Sequence, residues 1–190
     1  ELMMNRLMAG VIGLGMLLGV TATAPAQTYK VDPVHSFVVF KIEHMNTGWV
    51  WGRFNAPAGT FALEGDNPQI DVTVEVKNID TGVEPRDNHL RSDDFFKAEA
   101  HPTITFKSTQ IEKVDDNTYK ATGEITLLGK TNPVTVELKV GQAVKGMQQE
   151  TRRGLQGTFT VKRSDYGMDF MLNAIGDEVE LHVALEGIQE

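Results

Sequence analysis

Residues Ser36 to His44 have the sequence SFVVFKIEH, which alternates between two faces with a period of two. Successive side chains of a β-strand point to opposite faces, so this period predicts a strand. One face is apolar apart from its ends, and the other also includes Phe37 and Val39. We therefore expect part of the second face to be covered.

The same alternation recurs along the chain, and segments rich in Gly, Asn, Asp and Pro separate its occurrences. About eight strands with one apolar and one polar face predict an all-β protein, either an antiparallel barrel or a sandwich. One short helical segment is expected near residues 86–100. The further alternating segments are Ile70–Val76, Ile104–Ser108, Tyr119–Leu127, Val134–Val140, Leu155–Val161 and Val179–Leu185.

The inward faces combine large apolar residues with small ones, namely Ser36, Ala121, Gly123 and Gly157. Glycine on such a face either leaves volume unfilled or marks a bend in a strand. An eight-stranded barrel is just wide enough to hold one small ligand. Periodicity does not distinguish a packed sandwich from a barrel with an apolar ligand inside.

The amino-terminal residues have the features of a secretory signal peptide. Arg6 precedes the apolar run Leu7–Val20, and Ala24-Pro25-Ala26 supplies a small-residue cleavage site. The run is shorter than the roughly 20 apolar residues of a membrane-spanning helix. We expect residues 1–26 to be the signal peptide, residues 27–190 to be one domain, and no stable membrane insertion after cleavage.

Composition excludes several classes of site and partner. The chain has no cysteine, which excludes disulfides and thiolate metal sites. Its net charge of -8 argues against nucleic-acid binding. It also lacks the polybasic cluster that binds anionic lipid surfaces.

Three blocks of sequence go beyond the strand pattern. The first is Asp32–Phe40 with His44-Met45 and Gly52-Arg53-Phe54, and the third is Gly123–Val134. The second, residues 80–96, has the sequence DTGVEPRDNHLRSDDFF, and His101–Ser108 follows it. In these blocks the chain resembles the YceI family of bacterial polyisoprenoid-binding proteins, over essentially all of residues 29–186. Leu128 departs from the family pattern, because many relatives have a polar or histidine residue there.

This resemblance implies an extended, lipocalin-like, eight-stranded antiparallel barrel that holds a long isoprenoid or comparable lipid. Most members are periplasmic, and dimers are common, so a homodimer is an open alternative. The expected function is a periplasmic carrier of a polyprenyl lipid or an isoprenoid quinone. A carrier of fatty acids or fatty amides is one alternative, and an enzyme acting on an isoprenoid-type lipid is another.

A prenyl tail gains affinity by removing apolar surface from water, about 0.8 kcal/mol for each methylene-sized group. The alternative is that the inward residues fill a solid core. The side chains predicted to line the tail channel are Val38, Phe40, Ile42, Val72, Val74, Phe106, Ile125, Val136, Phe159 and Leu181.

The head group of such a lipid presents carbonyl or phosphate oxygens, which suit arginine and histidine donors. The alternative for the segment Arg86–Asp94 is a salt-bridged plug that closes one end of the barrel. Its carboxylates balance its arginines, which favours a neutral, quinone-like head over a pyrophosphate. The candidate head-group or mouth residues are His44, Arg86, Asp87, His89, Arg91 and Asp94.

Metal and catalytic motifs find little support in the sequence. The five histidines lack ligand spacing such as His-x-x-x-His, and no Gly-x-Ser-x-Gly motif is present. We therefore expect a binding protein rather than an enzyme, with no cofactor, metal or catalytic residue, and with a hydrophobic lipid as its ligand.

Overall fold

The computed structural model describes residues 27–190, so the predicted signal peptide lies outside the described residues. The described part of the chain forms twelve strands and one α-helix, α1 (Glu84–Arg91). The strands are β1 (Tyr29–Val31), β2 (Phe37–His44), β3 (Gly48–Asn55), β4 (Ala58–Ala62), β5 (Gln69–Glu75), β6 (Ile79–Asp80), β7 (Thr103–Lys113), β8 (Thr118–Leu127), β9 (Lys130–Val140), β10 (Val144–Lys145), β11 (Thr151–Lys162) and β12 (Ile175–Gln189).

Eight strands close into an antiparallel barrel, which confirms the predicted fold class. The ring runs β1, β12, β11, β9, β8, β7, β5, β4 and back to β1. The long strand β12 pairs with β11 on one edge, and on the other edge with β2 and then with β1. Strands β1 and β2 thus share one position in the barrel wall, one after the other along β12. Strands β4 and β3, which pair with them, share the neighbouring position.

Prolines mark the breaks in these two wall positions. Pro33 lies between β1 and β2, and Pro57 lies between β3 and β4. Proline has no backbone N–H and cannot continue a strand ladder in a central position. Strand β4 pairs with β5, but β3 does not. Strand β3 pairs instead with the two-residue strand β6, which leads into α1. The helix therefore lies beside an incomplete part of the barrel wall.

Helix α1 is shorter than the predicted segment near residues 86–100. Pro85 lies in its first turn, where a missing N–H costs nothing, and the helix ends at Arg91. The next residue, Ser92, has an extended backbone, and its hydroxyl donates to the carbonyl of His89 at 2.7 Å. Such local bonds compete with helix continuation. The described part of the chain contains no helix with the length and apolarity needed to span a membrane.

One end of the barrel is solidly packed. Tyr29, Phe61 and Tyr119 are almost completely buried there, and the rings of Tyr29 and Phe61 stack with centroids 5.2 Å apart. The Tyr119 hydroxyl donates to Glu64 at 2.5 Å, and Arg153 donates to the same carboxylate at 2.8 and 3.1 Å. We call this the closed end.

Three of the four small inward residues, Ser36, Gly123 and Gly157, do not leave empty space. A Cβ on Gly123 would lie 2.7 Å from the ring of Phe106, and one on Gly157 would lie 2.7 Å from the Val136 side chain. Ser36 is buried and bonds the backbone N–H and carbonyl of Glu186 at 2.9 and 3.2 Å. These residues therefore allow close approach of neighbouring groups.

A second polar cluster ties the β1–β2 corner to the barrel. The carboxylate of Asp32 accepts from Arg152 and pairs with the ring of His35, both at 2.8 Å. Arg152 also donates to Glu186 and Glu150 at 2.6 Å. Ligand atoms of Asp32, His35 and Glu186 lie within 4.8 Å of one another, but the guanidinium of Arg152 already bonds both carboxylates. The cluster is thus an ion-pair network centred on an arginine.

We expect Asp32→Asn to reduce the acid sensitivity of folding. The bonds from His35 and Arg152 hold the pKa of the Asp32 carboxyl well below its usual value. A lowered folded-state pKa stabilises the protein above the unfolded pKa of about 4, and that stability is lost as the pH falls below it. The variant should lose about 1–3 kcal/mol at pH 7. Its free energy of unfolding should then fall less steeply than that of the wild type between about pH 4 and pH 2.

Urea titrations at several pH values measure this slope. Asp116→Asn, which removes an exposed carboxylate, is the matched control. Equal slopes for Asp32→Asn and the wild type would contradict the conclusion that folding lowers the pKa of Asp32.

Candidate functional site

The barrel interior contains a cavity of about 400 Å³, which lies within the range of roughly 300–1,000 Å³ typical of small-molecule sites. Its wall is formed almost entirely by apolar side chains. All ten residues predicted for the ligand tail line it: Val38, Phe40, Ile42, Val72, Val74, Phe106, Ile125, Val136, Phe159 and Leu181. Their contact with a ligand stays a prediction.

Several of these wall residues are only half-buried although they point into a closed barrel. Val38, Ile42, Phe159 and Leu181 belong to this group. Their remaining accessible surface faces the cavity, because side chains in a filled core would be covered on all sides. The interior is therefore packed at the closed end and hollow towards the other end.

The cavity opens at the end of the barrel opposite the closed end. Its exposed lining residues are Glu43, His44, Met45, His89 and Met171, all of which lie at this end. We call this opening the mouth. Helix α1 and the following turn form one side of it, where Leu90 and Phe96 pack against the cluster of Phe40, Phe54, Val74 and Ile79.

The structure divides the six predicted head-group residues into two sets. His44, Arg86 and His89 line the cavity at the mouth, whereas Asp87, Arg91 and Asp94 are not part of its lining. The division follows helical spacing. Arg86, His89 and Leu90 lie three and four residues apart on one face of α1, and Asp87 and Arg91 lie on another.

The face of α1 that points away from the cavity holds the preceding turn. Buried Asp87 accepts from the backbone N–H and the hydroxyl of Thr81 at 2.9 and 2.5 Å. Arg91 donates to the carbonyls of Lys77 and Ile79 at 3.2 and 2.9 Å. These contacts fix the helix against β6 and so set the position of its inner face.

The inner face combines donors with aromatic rings. Arg86 lines the mouth while it donates to the hydroxyl and carbonyl of Thr81 at 2.8 and 2.9 Å. The His89 ring lies 2.8 Å from the Asp94 carboxylate. It also packs edge-on against Phe95 and Phe170, with ring centroids 5.1 and 5.8 Å away. Asp94 therefore does not line the cavity itself but orients His89, which does.

Sequence reasoning missed the residue that organises the other side of the mouth. Arg163 is 2% exposed and donates to four backbone carbonyls, those of Met168, Phe170, Ile175 and Gly176, at 2.8–2.9 Å. Burial lowers the pKa of its guanidinium. A signal was present, because the inward period of β11 continues from Val161 to this arginine.

Comparison with known proteins identifies the family. The model of the YceI-like domain matches residues 29–187. The chain belongs to the YceI-like family. This confirms the resemblance found in the three sequence blocks.

Proteins from several bacteria are similar to this chain over nearly its whole length. A UPF0312 protein of Pseudomonas aeruginosa (strain LESB58) is 36% identical over 184 residues, which cover 94% of this chain and 96% of that protein. A UPF0312 protein of Pectobacterium atrosepticum is 36% identical and covers 92% of this chain and 93% of its own.

Two solved structures share the YceI-like barrel. Burkholderia cenocepacia BcnA matches with a TM-score of 0.72 at 25% identity, covering 82% of this chain and 98% of its own. A polyisoprenoid binding domain from Saccharophagus degradans, implicated in plant cell wall breakdown, matches with a TM-score of 0.70 at 16% identity. It covers 85% of this chain and 98% of its own. At that identity the second match shows the fold alone.

Proposed function

We propose that this YceI-like protein binds an isoprenoid lipid in its barrel and carries it through the periplasm. The observation that supports this most directly is an apolar cavity that opens at a mouth bearing arginine and histidine donors. An amphiphile with a long apolar tail and a small polar head matches this arrangement.

The tail would lie among the ten wall residues named above. Burial of a methylene-sized group contributes about 0.8 kcal/mol, so one five-carbon isoprene unit contributes roughly 4 kcal/mol before ordering costs. Two or three buried units are enough for micromolar binding, which requires about 8 kcal/mol. Shape and apolarity are the only requirements for this part of the ligand.

The head group would lie at Arg86, His89 and His44. Two nitrogens of Arg86 are already bonded to Thr81, and the carboxylate of Asp94 faces His89. A multiply charged pyrophosphate would meet few free donors and a nearby negative charge. We therefore favour a neutral head with carbonyl acceptors, such as that of an isoprenoid quinone.

Binding rather than catalysis is proposed because the cavity wall is apolar. A nucleophile–histidine–carboxylate arrangement is present on β11 and β12, in which the His182 ring lies 3.2 Å from the Thr158 hydroxyl and 2.7 Å from the Glu180 carboxylate. It lies outside the set of residues that line the cavity. The polyisoprenoid binding domain from Saccharophagus degradans shares the barrel fold, and the proposed ligand class rests on the apolar cavity of this chain.

Identification of the co-purified lipid tests this proposal. We expect mature protein purified from its native host to release a polyprenyl lipid or isoprenoid quinone on extraction with organic solvent, detected by mass spectrometry. Fatty acids or fatty amides in the extract would identify the alternative carrier, and conversion of an added prenyl lipid would identify an enzyme. A clean extract, with no thermal shift on adding farnesol, would overturn lipid binding. Osmotic-shock fractionation of the host tests the periplasmic location.

A further inference from the structure

Two methionines at the mouth adopt a backbone conformation that disfavours them. Met45 and Met171 both have φ of 53°. In this left-handed region the side chain of an ordinary residue crowds its own backbone, and glycine or asparagine is preferred. Met45 and the next residue, Asn46 (φ 52°), form the tight turn between β2 and β3. Strained positions of this kind concentrate where function requires a particular side chain.

Both methionines are exposed at the same place. The Met45 N–H donates to the carbonyl of Ala174 at 2.6 Å, and the Ala174 N–H donates to that of Met171 at 2.9 Å. Met45 is 60% exposed and Met171 47%, and Leu172 beside them is also exposed. Met45 and Met171 line the cavity as well. We call Met45, Met171 and Leu172 the apolar collar; it continues the cavity wall onto the outer surface.

An aromatic pair lies directly behind this collar. Trp49 and Trp51 lie two residues apart on the outer face of β3, and both are more than half exposed. The ammonium of Lys41 lies 5.4 and 5.6 Å from the two ring centroids. Trp51 lies opposite Lys41 on β2, and Trp49, nearer the turn, lies opposite Glu43. At membrane interfaces apolar groups lie deepest, with tryptophan and lysine at the headgroup level, and the apolar turn followed by tryptophans and lysine fits this distribution.

We propose that the apolar collar, with Trp49 beside it, docks the mouth on a lipid bilayer, so that the ligand's tail moves between bilayer and cavity without crossing water. This rests on the proposed lipid-carrier function. Two of the three collar residues are methionines, whose flexible, unbranched side chains suit a fluid apolar phase. The chain has a net charge of -8, so docking is driven by apolar insertion, and anionic lipids add little.

The first test compares vesicle binding by wild type and Met45→Asn/Met171→Asn. Asparagine tolerates the left-handed backbone, so the variant keeps or raises its melting temperature while it loses the apolar tips. Met147→Asn is the matched control, because Met147 is fully exposed on the loop that precedes β11, at the closed end. Flotation with phosphatidylethanolamine–phosphatidylglycerol vesicles, free of isoprenoid, measures the partition coefficient. Trp49 and Trp51, the only tryptophans of the chain, report contact by a blue shift of emission.

We expect wild type and the Met147 variant to float with the vesicles and to show the blue shift. The double variant should partition about tenfold less. Failure of the wild type to float, or equal partitioning of the double variant, overturns the docking proposal.

A second variant separates docking from lipid binding. Trp49→Thr/Leu172→Ser changes two residues that do not line the cavity, so farnesol binding in the absence of vesicles should equal that of the wild type. Its vesicle partitioning should fall at least fivefold. Equal loss of farnesol binding and partitioning would overturn the proposal. If wild type floats but binds no farnesol, the carrier function fails; if it binds farnesol but does not float, only the docking proposal fails.

Discussion

Val38→Trp is expected to lower the affinity for an isoprenoid by about a hundredfold or more while leaving the fold intact. Val38 lies on β2, lines the cavity and is only half-buried. An indole there would occupy the volume of at least one isoprene unit, which is worth roughly 4 kcal/mol of burial. Each 1.4 kcal/mol changes affinity tenfold. Because the new ring enters a void, the free energy of unfolding should stay within about 1 kcal/mol of the wild type.

Val39→Trp is the matched control, because the neighbouring residue on the same strand points to the outer face. It should bind farnesol as the wild type does. Fluorescence displacement titrations give both affinities, and urea unfolding gives both stabilities. A Val38→Trp protein that binds normally but is destabilised by about 1–3 kcal/mol would show that position 38 belongs to a packed core.

The strands of the barrel wall could be predicted from sequence because each strand has its own local pattern of alternating side chains. Along β8 the residues predicted to face inwards, Tyr119, Ala121, Gly123, Ile125 and Leu127, are all buried. A period of two depends only on the alternation of side chains along one strand. The pattern did not show where the interior is hollow, because that depends on how far apart opposite walls stand and on which rings cover the glycines.

The mouth was harder to predict because its contacts are non-local. The sequence grouped six polar residues, but it did not show which face of α1 points inwards. That orientation is set by bonds from Asp87 and Arg91 to backbone groups of residues 77–81. The strained turns at Met45 and Met171 could not be predicted either, because methionine does not indicate a left-handed backbone.

Replacement of Arg163 tests how the mouth is held together. Arg163→Met keeps the length of the side chain but leaves four carbonyls without their donor. At about 1 kcal/mol for each lost bond, the variant should lose roughly 3–5 kcal/mol of stability. For a chain of this size, that corresponds to a drop of roughly 6–20 °C in melting temperature. Thermal unfolding followed by circular dichroism measures it.

Two further variants show whether the loss comes from the fork of donors that Arg163 provides. Arg163→Lys keeps the charge but reaches fewer carbonyls, so its loss should lie between those of wild type and Arg163→Met. Lys162→Met, which changes the exposed neighbour, should lie within about 0.5 kcal/mol of the wild type. Since the four carbonyls belong to the segment that carries Met168 and Met171, Arg163→Met should also release bound farnesol faster. A variant as stable as the wild type would mean that water replaces the guanidinium at no cost, and that Arg163 does not hold this side of the mouth.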